Sequence, residues 1–421
     1  MILLRLAFKS IKNRLFTTSL TVFSIALSIC LLLSVERTKQ AAQDGFTQSV
    51  SQTDLLVGGR TGPLNLILYT VFNMGSATNN ISMESYQHFK SHPAVAWTIP
   101  YSLGDGHRGF RIVATDENFY DHYHYRGDGK IEFISGKPAL GIWDAVIGAE
   151  VERKLKYKLN DKIIIAHGVT RTEGIIKHSD KPFTVSGILK PTGTAIDQSI
   201  YISLYGMEAI HMDWKNGAAP TKDQETPQDR ITKESIKLGP ITSFFIRTKS
   251  RIETLGLQRE INDYQEEPLL AIIPGATLAD LWRGLSQIDN ILKIISWMVI
   301  VVGMASMLSS LLAGLNERRR EMAILRALGA GPLKITLLLV FESTVLTVLG
   351  IIVGSTVHFM GFSLLSNWLE SKFGFYIIGS LLSSTEIWYI GITLIFGVLT
   401  GLIPAMKASQ NALKDGLIVK S

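Results

Sequence analysis

LNERRREMAILRALGAGP, residues 315–332, sets five consecutive charged residues, Glu317, Arg318, Arg319, Arg320 and Glu321, between two segments apolar enough to lie in a bilayer. The placement of the apolar runs around it decides the fold. The chain has 421 residues, 46% of them hydrophobic. Its mean hydropathy is +0.22, so it is long enough for a sizeable core and too apolar for a purely soluble protein. Four runs, 15–35, 291–315, 335–365 and 387–406, reach or approach the about 20 residues that cross roughly 30 Å of hydrocarbon as helix. Residues 36–285 read as ordinary globular sequence with Gly, Pro and charge spread throughout.

The net charge of +6 does not point to nucleic acid, because that reading needs basic residues on a soluble surface. Here they flank the spans: Arg5, Lys9, Lys12 and Arg14 before the first; Arg318, Arg319, Arg320, Arg326 and Lys334 between the second and third; Lys407, Lys414 and Lys420 after the fourth. The positive-inside tendency makes all three groups cytoplasmic, which places both termini inside and 36–285 outside. The first run reads as a signal anchor, since no A-x-A-like cleavage site follows it. LSIC at 27–30 has Ile29 where a lipoprotein box needs a small residue, and Cys30, the single cysteine, excludes an intramolecular disulfide.

The expected architecture is therefore a membrane protein with four transmembrane α-helices and one large extracytoplasmic α+β domain between the first and second spans. Residues 1–14 form an amphipathic helix on the inner surface, 15–35 the first span, 36–285 the external domain with a helical stalk from 36–52 and 277–290, and 286–421 the remaining spans. Within the domain, Ser82 N-caps a helix reaching 92 and 149–159 forms another. Strands are expected at 110–114, 162–166, 183–189, 199–203, 243–247 and 269–273. Residues 213–239 read as a mobile loop or an insertion, and GPLNLILYTVFNMG at 62–75 as a buried core element, with a greasy groove the alternative. Gly350 with Gly354, and Gly397 with Gly401, are small-xxx-small pairs that let helix backbones approach. Glu342, inside the third span, is expected to snorkel or to pair within the bundle.

Catalysis has no visible carrier. There is no phosphate-binding G-x-x-x-x-G-K-[ST] loop, no G-x-S-x-G elbow and no H-E-x-x-H pair, so the chain is expected not to be an enzyme. Histidine is the one opening to metal chemistry. His122 and His124 have H-x-H spacing that places both rings on one face of a strand, and His167, His178 and His211 follow further along. With no cysteine partners and the rest scattered, the expectation is no metal and no cofactor on this chain; His122, His124, His167 and His178 are the candidates should one be held.

The charged stretch itself reads as a short cytoplasmic helix, 316–330, ended at Gly329-Ala-Gly-Pro. Met322, Ile324, Leu325 and Leu328 form an apolar stripe framed by arginines, suited to a groove with an acidic rim on a soluble partner. A positive anchor on anionic lipid would explain the arginines alone. At these residues the chain resembles a known family: ERRREMAILRALGA looks like the cytoplasmic loop signature of FtsX-type permeases of ABC systems, the superfamily that includes MacB and the lipoprotein-release subunits. FEST at 341–344 and GLIPAMKASQNAL at 401–413 are similar to that family's third span and tail, although Asn411 and Ala412 replace its downstream proline.

The resemblance implies a non-catalytic permease subunit, paired with a second permease subunit and with an ABC ATPase dimer that binds ATP and Mg. Carried over by position, Glu317, Arg318, Arg319, Arg320, Glu321, Ile324, Leu325, Arg326 and Leu328 would be the ATPase contacts. ATP-driven closure would pass through them to the external domain, a mechanism called mechanotransmission, to export or release a lipoprotein, lipid or small hydrophobic molecule, with a periplasmic adaptor or substrate protein as a further partner. Alternatives are a regulator of a periplasmic hydrolase or sensor, periplasmic zinc handling, and a membrane-anchored binding protein.

Overall fold

The computed structural model describes residues 15–47, 49–168, 178–214, 226–284, 286–327, 330–373 and 382–415. The expected helix over 1–14 lies outside them. Two compact units emerge: Met1–Ala42 with Leu285–Trp368 and Ile377–Ser421, and Gln43–Gly284 with Leu369–Tyr376.

In the first unit four helices, Leu15–Thr47, Ser286–Ala327, Pro332–Phe373 and Ser384–Asp415, each contain a stretch long and apolar enough to cross a membrane: Leu15–Ala41, Asn290–Ala313, Pro332–Leu365 and Ser384–Met406. Each helix has two faces. On the first, Phe16, Leu20, Phe23, Leu27 and Leu31 are exposed while Ile25, Ile29 and Leu33 are buried against Met307, Leu311 and Leu346, so an apolar stripe faces outward at helical spacing where a soluble protein would place polar groups.

Between the spans, small and hydroxyl-bearing residues bring backbones together. Thr21 and Ser310 share a hydrogen bond of 2.5 Å, Ser306 Oγ donates to Ser24 Oγ at 3.0 Å, and a Cβ built on Gly303 would meet Ser28. This antiparallel ladder joins first and second spans through groups whose hydrogen bonds hydrocarbon cannot supply. At one end of the bundle Arg37 Nε lies 3.2 Å from Glu386 Oε1, both buried. Ser383 and Glu386 exchange hydrogen bonds, Ser383 N to Glu386 Oε2 at 2.7 Å and Glu386 N to Ser383 Oγ at 3.2 Å, a capping box that starts the last helix. Glu342 is buried.

The second unit is built on one mixed sheet. Its strands are β1 (Leu55–Gly59), β2 (Val95–His107), β3 (Phe110–Thr115), β6 (Phe133–Gly136), β7 (Asp144–Ile147), β8 (Lys162–Ile163), β9 (Ala166–His167), β10 (Phe183–Leu189), β11 (Ser199–Ser203), β12 (Ser243–Thr248) and β13 (Leu269–Ile272); β4 (His124–Tyr125) and β5 (Gly129–Lys130) form a separate hairpin. The order is β13-β1-β12-β2-β3-β11-β7-β10-β6, with β8 on β10 and β9 on β2. The β11–β3 and β10–β7 pairs are parallel.

Strand residues alternate between two cores as the pleat requires. Val57, Phe244, Ile246, Ile112, Ile147 and Ile200 point to one core, with Phe89, Val151, Met207 and Leu257 from the helices over it; Leu56, Phe245, Val113, Val146 and Tyr201 point to the other, with Ile67, Phe119 and Leu278. Helices thus pack on both faces of the sheet. The segment read as a core element is the helix Pro63–Thr70, with Leu66, Ile67 and Tyr69 buried.

Three expectations change. The helix from Ala149 stops at Leu155, because Lys156 turns left-handed with φ 58°. The strand expected over 162–166 is two short pieces, β8 and β9. In the segment read as a loop, 215–225 lies outside the described residues, but Ile231 and Ile236 are buried against Ala209, so its second half is packed.

Candidate metal centre

A convergence of polar side chains in the second unit begins with an irregularity in β2. Leu103 faces Val113 and Gly106 faces Arg111 on β3, so β2 carries one extra residue there. Such a bulge re-aims side chains. Asp105, within it, is the register partner of His167 on β9, and Gly168, φ +83°, turns the chain immediately afterwards. His178 is set beside this pair by its own backbone, whose N–H donates to the Ile165 carbonyl at 2.9 Å. The fourth member arrives on the helix Leu204–His211, which starts at Ser203, whose hydroxyl accepts from Gly206 N, and delivers His211 in its last turn.

Asp105, His167, His178 and His211 each present a ligand atom, and these atoms all lie within 4.8 Å of one another. His167 Nδ1 is 3.1 Å from Asp105 Oδ1. His211 Nε2 is 3.3 Å from Asp105 Oδ2, at ion-pair distance but without hydrogen-bond alignment. His211 Nδ1 bonds the Met207 carbonyl at 2.9 Å, which fixes the ring and turns Nε2 inward. His178 is 0% exposed and Asp105 4%. His167 Nε2, both ring nitrogens of His178 and Asp105 Oδ2 are buried without hydrogen-bond partners among the described residues, whereas buried polar atoms are ordinarily satisfied.

The surroundings hold the cluster together. Trp214 packs on His167 at 4.5 Å and on His178 at 4.8 Å between ring centroids. Buried Lys181, whose N–H bonds the His178 carbonyl, pairs with Asp213 at 2.6 Å, tying the His178 turn to the chain just after His211. Burial, then the neighbouring His211, lowers the His178 pKa to about 4, so its ring is neutral at physiological pH. Burial opposes protonation of His211, but Asp105 and the Met207 carbonyl outweigh it and raise its pKa.

Three imidazoles and a carboxylate converging in this way are geometrically suited to a metal ion. The expectation that this chain carries no metal or cofactor site is thereby overturned. Of the four candidate histidines, His167 and His178 are brought together. His122 and His124 are not: His122 ends the helix Glu117–His122 and stacks on Trp97 at 5.2 Å, while His124 lies on β4 with Nδ1 bonded to the His122 carbonyl. The two sit in different elements, so strand alternation never applies to them. His107, two residues from Asp105, is spent on the Ile164 carbonyl at 2.6 Å and Tyr157 Oη at 2.9 Å.

The other expected site residues fall in the first unit. Glu317, Arg318, Arg319, Arg320, Glu321, Ile324, Leu325 and Arg326 occupy the last turns of the helix Ser286–Ala327, continuous with the second span instead of a separate short helix; Ile324 is 55% exposed, and Leu328 lies outside the described residues. A Cβ on Gly350 would sit 2.5 Å from Ile25 Cγ2, and one on Gly354 2.5 Å from the Ala26 carbonyl oxygen. On Gly397 and Gly401 it would strike Thr347 and Ser343.

Comparison with known proteins gives matches over both units. Residues 16–264 match the family described as MacB-like periplasmic core domain, and 293–414 the family described as FtsX-like permease C-terminal. An uncharacterized ABC transporter permease of Methanocaldococcus jannaschii is 21% identical, with 96% of this chain and 94% of that protein covered. Among solved structures, the periplasmic region of MacB from Actinobacillus actinomycetemcomitans is 7% identical, covering 55% of this chain and 94% of that one at a TM-score of 0.34. The extracellular domain of YknZ, a noncanonic ABC-type transporter from Gram-positive bacteria, is 12% identical, covering 52% and 99% at 0.31.

Proposed function

Since the chain belongs to the FtsX/MacB-type ABC transporter permease superfamily and is a non-catalytic, multi-pass inner-membrane permease subunit with a periplasmic domain, we propose that it works by mechanotransmission. Its partners follow the ABC pattern of an ATPase subunit and a paired permease. In the proposed arrangement an ATPase dimer serves two permease chains, and both termini are cytoplasmic. Glu317–Glu321, Ile324, Leu325, Arg326 and Leu328 seat in the ATPase; Gly350, Gly354, Gly397 and Gly401 hold the spans close enough to move as a body. The periplasmic domain then exports or releases an envelope substrate.

The observation that carries this reading is the unbroken 42-residue helix Ser286–Ala327, which contains both the second span and the charged stretch. A continuous helix transmits displacement along its axis, whereas a jointed one absorbs it. The apolar stripe and arginine border at its end suit a groove with an acidic rim. Isolation of the untagged chain from its native membranes tests the reading. The expected result is a co-isolated ATPase whose association is lost on charge reversal, R319E/R320E; undiminished association of the variant would refute the coupling role.

A further inference from the structure

We propose that Asp105, His167, His178 and His211 bind one divalent transition-metal ion of the zinc class, and that the ion exchanges through the edge formed by His167 and His211. The inference stands apart from the coupling reading, because it uses only residues of the periplasmic unit.

The donor set selects the ion. Calcium and magnesium demand six or more oxygen ligands, and this cluster offers one carboxylate against three imidazoles. Imidazole nitrogens with a single carboxylate suit zinc and its neighbours in the first row, and four donors match tetrahedral coordination. Zinc bonds near 2.0–2.2 Å put tetrahedral ligand atoms about 3.3 Å apart. The four ligand atoms already lie within 4.8 Å, and Asp105 Oδ2 and His211 Nε2 are already 3.3 Å apart.

Two further observations separate a metal site from a hydrogen-bonded polar cluster. The first is dissatisfaction: a self-contained cluster would partner its nitrogens, yet both of those on His178 are buried without a partner among the described residues. The second is orientation. His211 Nδ1 is committed to the Met207 carbonyl, the outer-shell contact that typically holds a ligating histidine with its other nitrogen toward the metal. The Lys181–Asp213 ion pair holds the His178 turn against the chain that carries His211, so the donors converge from four separate places in the chain.

Accessibility differs within the set. Side chains of His167 and His211 are 37% and 33% exposed, against 5% for Asp105. On this proposal the ion enters and leaves past these two rings, the solvent-facing side of a cluster in which His167 Nε2, both His178 nitrogens and Asp105 Oδ2 are buried.

The test uses untagged full-length protein in detergent, stripped with a chelator and titrated by calorimetry with zinc chloride and, separately, calcium chloride; cobalt(II) replaces zinc for visible spectroscopy. The expected result is one zinc per chain, no heat from calcium, and the visible absorption of tetrahedral cobalt. H211A, at a partly exposed position, and D105N each weaken zinc binding at least about 10-fold, with folding checked by thermal unfolding. H122A and H124A leave it unchanged. No zinc heat at micromolar concentration, calcium binding of equal strength, or zinc affinity that survives both H211A and D105N would overturn the proposal.

Discussion

Replacing glycine by alanine at two positions of the third transmembrane helix, Pro332–Phe373, should move stability in opposite directions. A Cβ at Gly354 would lie 2.5 Å from the Ala26 carbonyl oxygen and 3.0 Å from Ala26 Cα and Ile29 Cβ. Two of these are backbone atoms of the neighbouring helix and cannot rotate away, so ordinary contact near 3.5 Å requires the helices to part by about 1 Å. Overpacking of this kind costs ~1–3 kcal/mol. At Gly361 nothing lies within 4 Å of the built Cβ, and only the gain in helix propensity remains, about 0.5–1 kcal/mol in alanine's favour. G361A is therefore expected to be stabilised, G354A destabilised, and the pair separated by roughly 1–3 kcal/mol once that gain is counted on both sides. G350A should be destabilised as G354A is, because a Cβ there meets Ile25 Cγ2 at 2.5 Å and Ile25 Cβ at 2.6 Å, and a Cβ moves only with its own backbone. Thermal unfolding of the three variants in one detergent, at one scan rate, measures the order. Equal shifts for G354A and G361A would refute the packing argument, since helix propensity alone treats both sites alike.

Two other perturbations follow from buried charge. R37M removes the partner of the Glu386 carboxylate, which is 3.2 Å away and buried, and should cost ~3–5 kcal/mol. R37M/E386Q keeps the capping-box acceptor for Ser383 N and should recover most of that loss in the same unfolding assay; a double variant no better than R37M would count against the ion pair. Asp116 is an N-cap that accepts from Asn118 N, and burial raises its pKa from 3.8 to about 6 despite nearby Lys90. The folded state thus holds this proton more tightly than the unfolded state, so the associated stability is complete below pH 3.8 and is lost as pH rises to about 6, by at most ~3 kcal/mol. Asparagine caps equally well without the charge. The gain in melting temperature from D116N should grow between pH 4 and 6 and level off above, and a gain independent of pH would rule out this origin.

Apolar runs long enough to span a bilayer declare themselves by length alone, which is why the four spans were legible. Strands bounded by polar residues were legible as well: β10 and β11 fall where their alternating runs predict. The longest strand, β2, was not, because Pro100, Gly104 and Gly106 interrupt it and such residues ordinarily break strands. The metal-suited cluster was half visible. His167 and His178 stood among the candidates, but nothing local joins histidines 11 and then 33 residues apart to an aspartate 62 residues upstream. Their meeting depends on the β2–β9 register and on the bulge that re-aims Asp105, both products of tertiary pairing. H-x-H at 122–124 misled because it assumed one strand where a helix ends and a new strand begins.

The distribution of polar chemistry between the units bears on how such a permease handles its substrate. Several hydroxyls of the bundle are engaged between helices or on their own backbone, Thr21 with Ser310, Ser24 with Ser306 and Ser343 with the Val340 carbonyl, whereas Ser355 Oγ is buried without a partner among the described residues. His358 Nδ1 is held by Ser34 at 3.0 Å, and Arg37 by Glu386. Groups so engaged act as glue between helices; a transport path would need them free to bind and release in sequence. Among the described residues, the only cluster of three or more potential metal ligands belongs instead to the periplasmic unit. On the proposed mechanism this is the expected division: the bundle transmits a stroke, and recognition resides in the domain that the stroke moves. An ion held at Asp105, His167, His178 and His211 would then be gained and released on the periplasmic side, by changing how closely β2, β9 and the helix Leu204–His211 approach one another.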